Sequence, residues 1–164
     1  MGSSRTSVTG LLLAVVFLSG CIEILYDDPL PELEVKTIVK GYNGFRSEDS
    51  VEMVIGNQDE FEEIWGKAFK SHHPFPQPPQ MDFERQTLIL LMLDMKYNGG
   101  YEITDLEAVR GSNHISVSYR EEHPGKYCGV PEIFTKPFHL FTVSEKGWPV
   151  RFNKMETVYR DCKN

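Results

Sequence analysis

The sequence predicts an α+β domain: an antiparallel sheet or sandwich-like arrangement of six or seven strands with one amphipathic helix packed on it. Three observations carry this expectation. Short segments alternate apolar and polar residues with the period of half-buried strands, one segment follows the helical period, and Thr87 to Met95 is apolar almost throughout. The pattern leaves open whether the strands close into a barrel or stack as two sheets.

Taken in order, Val35, Thr37 and Val39 alternate with Lys36 and Lys40, and Val51, Met53 and Ile55 alternate with Glu52. Gly41, Asn43, Gly44 and Ser47 supply turn residues between these strands. Asn57 is placed to cap a helix, with Glu60 at the capping-box position and acids beside the positive helix end. Phe61, Ile64, Trp65, Ala68 and Phe69 then form one stripe for docking on a sheet, while Glu62, Glu63 and Lys67 face water. Ser71 to Gln80 holds four prolines and the pair His72-His73, so it reads as an extended surface crossing.

Thr87 to Met95 suits a central strand covered on both faces. The turn Tyr97-Asn98-Gly99-Gly100-Tyr101 follows, and its Asn-Gly pair favours a type I′ reversal into an antiparallel neighbour. Tyr101 and Ile103 share one face whereas Leu106 and Ala108 have the opposite parity, which predicts a bulge near Asp105. Ile115, Val117 and Tyr119 alternate with polar residues, Glu121 to Cys128 reads as an exposed turn, and Thr135 to Val143 and Val150 to Tyr159 give the last two strands.

Ahead of this domain lies a leader. Residues 1–20 combine Arg5, the apolar run Leu11 to Leu18, and small Ser19 and Gly20 before Cys21, a signal-peptide pattern. The run is about ten residues, short of the roughly 20 that span a bilayer, which disfavours the alternative of an uncleaved anchor helix. Leu18-Ser19-Gly20-Cys21 resembles the bacterial lipobox. That resemblance implies cleavage before Cys21 and lipidation of its thiol, hence membrane attachment of an envelope protein through several acyl chains. Ile22, rather than Asp, follows the cysteine and by the same resemblance favours the outer membrane of a Gram-negative host. Residues 21–34, with Asp27, Asp28, Pro29 and Pro31, read as an extended tether, leaving residues 35–164 as the single domain.

The formal charge of −7, with no basic cluster, excludes nucleic acid as an expected partner. With Cys21 assigned to lipid, Cys128 and Cys162 remain, fit for a disulfide in an oxidising compartment and worth roughly 3–4 kcal/mol in the chain-entropy model. Two free thiols or a pair of metal ligands are the alternatives.

Several landmarks are specific in combination: Glu60-Phe61 with Trp65, Met81-Asp82-Phe83, Gly99-Gly100-Tyr101, and Thr135-Lys136-Pro137-Phe138-His139. From Phe61 to about Phe141 their spacing resembles the C-terminal domain of PrcB-like proteins, exported bacterial proteins named for an accessory subunit of a surface protease complex. Asn98 stands where that family usually has Thr, and Lys136 where Gln is common. The resemblance implies a non-catalytic subunit that binds or stabilises a protease or other envelope protein, with no cofactor, and it directs attention to Tyr97, Asn98, Gly99, Gly100 and Tyr101 as a binding turn. Pro137 is expected on an edge strand or at a bulge.

Enzyme signatures are missing from the sequence. There is no Gly-x-Ser-x-Gly elbow, Walker loop, dinucleotide fingerprint or Cys-x-x-Cys pair; His114, His123 and His139 lie in different segments, and no Cys or Glu-x-x-His pattern joins the His72-His73 pair. Glu121-Glu122 and Asp27-Asp28 read as solvated charge. Two other readings compete. A Gly-rich turn between tyrosines resembles the inhibitory loop of chagasin-like cysteine protease inhibitors, and His114 or His139 offers a base for a small hydrolase.

Overall fold

The computed structural model describes residues 30–163 apart from Arg46 and Glu48. The leader, Cys21 and the Asp27-Asp28 pair lie outside the described residues. Eight strands and one helix follow in the order β1 (Val35–Gly41), β2 (Val51–Ile55), α1 (Gln58–Phe69), β3 (Thr87–Met92), β4 (Glu102–Arg110), β5 (Ile115–Pro124), β6 (Phe138–Val143), β7 (Val150–Lys154) and β8 (Val158–Arg160). The strands form two stacked sheets rather than a closed barrel. The first has the order β1-β6-β3-β2, and the second β4-β5-β7 with β8 also on β5. None of the described helices is long and apolar enough to cross a membrane.

β3 and β6 hold the molecule together. Every residue of both strands is buried, and the two lie side by side in the first sheet. Because successive side chains of a strand point to opposite faces, Leu88, Leu90 and Met92 of β3 meet the helix while Ile89 and Leu91 meet the second sheet. Phe61, Ile64 and Trp65 of α1 pack on the first face, and Ile103, Ala108, Ile115, Val117 and Tyr119 cover the second. The result is a helix–sheet–sheet stack with two apolar layers.

The helix starts as its sequence predicts. Asn57 Oδ1 accepts from Glu60 N at 2.9 Å, and Glu60 Oε2 accepts in return from Gly56 N at 2.8 Å. The proline-rich return strap is fastened to α1, where Trp65 Nε1 donates to Pro76 O at 2.7 Å and Gln58 Nε2 donates to Pro79 O. The bulge near Asp105 is present: the β4–β5 register shifts between Thr104 and Glu107, and Asp105 has φ 47°. Asp tolerates this left-handed conformation better than most residues, and its carboxylate pairs with Arg120 at 2.9 Å. Cys128 and Cys162 form the expected disulfide.

Four expectations are corrected. The Tyr97–Tyr101 turn does not close a hairpin, because β3 and β4 belong to different sheets. Both edges of β3 are already taken by β2 and β6, and beyond it Lys96 exchanges two hydrogen bonds with Thr135 while Gly99 N donates to Pro131 O. Positive φ falls on Gly100 (90°), where the chain steps between layers. The expected turn from Glu121 is instead the end of β5, which continues to Pro124. Val150 to Tyr159 is two strands, each parallel to β5 and separated where Met155 N donates to Tyr119 O, so the strands number eight among the described residues. Pro137 leads into β6, a central strand, where its carbonyl accepts from Leu93 N at 2.8 Å and no partner needs the missing N–H.

Replacing Asn57 by Ala is expected to cost about 1 kcal/mol through loss of the cap, and Phe61→Ala about 3–5 kcal/mol through the cavity it leaves. Urea unfolding of the full chain checks both, with the midpoint moving and the slope unchanged.

Candidate functional site

The predicted binding turn lies at one pole of the sandwich, where β1 ends and β4 begins. The chain comes in at the other pole, where Arg110 N donates to Pro31 O and Leu33 N donates to Ala108 O. Beyond β3 and β6 the paired stretches around Lys96 and Thr135 project as a short lip, pinned by their two mutual hydrogen bonds and by Thr135 Oγ1 donating to Asn98 O at 2.9 Å. Gly99 is required there, since a Cβ would stand 2.8 Å from Pro131 Cγ.

This lip carries an apolar ridge. Tyr97 is 81% exposed and Phe134 66% exposed, with Met95 and Ile133 beside them also exposed. The rings of Tyr97 and Phe134 meet edge to face at 5.6 Å between centroids, a favoured aromatic geometry. Open grooves run on either side, one lined by Asn43, Gly44, Met95 and Phe134, the other by Lys96, Tyr97, Asn98 and Tyr101. Of the five turn residues predicted, Tyr97 faces solvent on the ridge, whereas Tyr101 turns inward against the core and the His123 ring. Sequence reasoning missed Met95, Ile133 and Phe134.

Beneath the lip lies a charge cluster. Glu121 is only 3% exposed. Lys96 Nζ and Lys154 Nζ each donate to its carboxylate at 2.5 Å, and His123 Nε2 lies 2.8 Å away. Lys96 also pairs with Asp94 at 2.7 Å and sits over the Tyr101 ring. Burial opposes the charge on Glu121, but these donors outweigh it and pull the carboxyl down to about 2. The expectation that Glu121-Glu122 is solvated charge is therefore corrected. Glu122 is also engaged, paired with Arg160 of β8. The alternation Ile115, Val117, Tyr119 carried two residues further puts Glu121 on the inward face, and that parity was the available signal.

A cavity of about 120 Å³ opens between the sheets at the same pole, lined by residues including Lys40, Tyr42, Tyr101, Glu102, Phe138 and His139. His139 Nε2 lies 2.8 Å from Thr37 Oγ1, while its buried Nδ1 has no partner. Burial, and then Lys40, lower its pKa to about 4, so the ring is neutral near pH 7. A hydroxyl beside an imidazole is the first half of a nucleophile–base pair. Among the described residues no carboxylate orients the ring, and an imidazole held this far below neutrality is a weak base. His114 lies at the opposite pole, hydrogen-bonded to Asn113, so the two histidines of the hydrolase reading are not brought together. Among the described residues no group of three His, Cys, Asp or Glu is arranged to hold a metal.

No protein-family model matches the chain, and no curated protein or solved structure matches it.

The low pKa of Glu121 makes stability depend on acid. An unfolded Glu titrates near ~4.3. Below that value the unfolded chain takes up a proton that the folded chain refuses, so the stabilisation is complete above about pH 4.3 and is lost as pH falls toward about 2. Glu121→Gln is expected to cost about 1.5–3 kcal/mol at pH 7, where Lys96 and Lys154 lose their charged acceptor, and to flatten the acid limb of stability between about pH 4 and pH 2. Urea midpoints of both chains across that range check it.

Proposed function

We propose that this chain is a lipid-anchored envelope protein of the PrcB-like kind, a non-catalytic subunit that binds and stabilises a protease or other envelope protein. The observation that carries the reading is the ridge of Met95, Tyr97 and Phe134, an exposed apolar surface on backbone fixed by hydrogen bonds from both sides. Aromatic side chains held in place are the usual anchors of protein interfaces, since they bury a large area at little further cost in conformational freedom. The ridge stands at the pole opposite to Pro31 and Leu33, where the described chain begins. The polar groups nearby favour binding over catalysis: Glu121 is saturated by donors, and His139 has no orienting acid among the described residues.

The test is cross-linking and affinity capture of the tagged full-length chain from native envelopes, quantified by mass spectrometry. One envelope protein should be recovered in stoichiometric amount. Recovery should fall about tenfold or more for Tyr97→Ala with Phe134→Ala, as expected for two anchor truncations, while the urea midpoint stays unchanged because both side chains are exposed. No stoichiometric partner, or equal recovery with the double variant, overturns the ridge as the contact. Labelling with a fatty acid should mark the wild-type chain and spare Cys21→Ala, which should leave the membrane fraction; an unlabelled wild-type chain removes the anchor.

A further inference from the structure

Each sheet ends in strands whose outward N–H and C=O groups lack a partner, and folded proteins guard such edges with cations, bulges, brevity or cover. Three of the four edges here are guarded. β1 carries Lys36 and Lys40 and a bulge between Thr37 and Val39. β4 is bent at Asp105 and covered by Pro31 and Leu33. The far edge of the second sheet is divided between β7, with Arg151 and Lys154, and β8, only three residues long.

β2 carries no cation, no bulge and no backbone cover among the described residues, and the one guard it has is a single inward-turned carboxylate, Glu52. It pairs with β3 in unbroken register, and among the described residues no backbone group outside β3 bonds to it. Its one charge, Glu52, accepts the Tyr119 hydroxyl at 2.7 Å, and Val54 is 41% exposed.

We propose that β2 pairs with β2 of a second copy of this chain, antiparallel about a two-fold axis at Met53, joining the two four-stranded sheets into one. The strand is self-complementary in that register. Met53 faces its own counterpart, Val51 faces Ile55 of the second copy, and Glu52 faces Val54, so the apolar row on the helix side runs on across the axis. No like charges are opposed, which is the condition cross-strand pairs impose. The other registers that keep both helices on one side shorten the overlap, and the one centred on Glu52 sets two carboxylates against each other. The axis exchanges the poles, so the two ridges stand at opposite ends of the joined sheet. The pairing uses a different surface from the ridge and stands independently of it.

Two measurements test the pairing. In native envelopes under mild oxidation, the full-length chain carrying Met53→Cys should form a disulfide-linked dimer, because directly opposed residues sit about 4.5–5.5 Å apart at Cβ. Val51→Cys should not, because its counterpart lies farther along the strand than the ~7 Å between Cα atoms that a disulfide spans. Cross-linking of both variants, or of neither, overturns the register. In sedimentation equilibrium of the purified full-length chain, Val54→Lys meets Glu52 twice across the axis and should tighten the dimer about three- to tenfold, while Val54→Glu should weaken it by a similar factor. No change, or change in the same direction for both, overturns the pairing.

Discussion

The fold depends on the burial of β3 and β6 on both faces. A strand with one apolar face asks for one covering layer; a strand apolar on both asks for two, and neighbours on both edges as well. Leu88, Leu90 and Met92 oblige α1 to lie on one side, and Ile89 and Leu91 oblige the second sheet to lie on the other. The chain crosses between layers after β3 because β3 has no edge left for β4. Gly100 is where it does so, with the positive φ that such a step needs.

The parts legible in the sequence are those decided locally. The Asn57 cap, the apolar stripe of α1 and the change of parity that marks the Asp105 bulge involve residues within a few positions of one another. Strand pairing is not local. Asn98-Gly99 is compatible with a hairpin, and what prevents one is that β2 and β6 already occupy both edges of β3, partners no nearby residue announces. The ridge escaped for the same reason: Tyr97 and Phe134 meet only because Lys96 pairs with Thr135.

Glu121 shows how the second sheet and the lip are coupled. Burying a carboxylate is costly unless charge and hydrogen bonds compensate. Its donors come from the lip (Lys96), from β5 itself (His123) and from β7 (Lys154). A single buried group thus fastens three separate stretches of chain. The Lys96 ammonium thus links the lip to β5, while the backbone of the same residue holds Met95 and Tyr97 beside Thr135.

That coupling bears on what kind of protein this is. A catalytic site keeps a group unsatisfied until substrate arrives, with its pKa brought near the working pH. At this pole the ionisable groups go the other way: Glu121 is held far below neutrality by three donors, and burial holds His139 neutral with no acid among the described residues to orient it. Besides the buried His139 Nδ1, what is left without a partner at this pole is apolar and on the surface, at Met95, Tyr97 and Phe134, and the outer backbone edge of β2 is open as well. Both are surfaces that the proposed binding role would cover with protein. Under the proposed binding role, the stability invested in Glu121 would have a use beyond folding, because a lip held rigid before contact loses less freedom on binding than one that must be ordered.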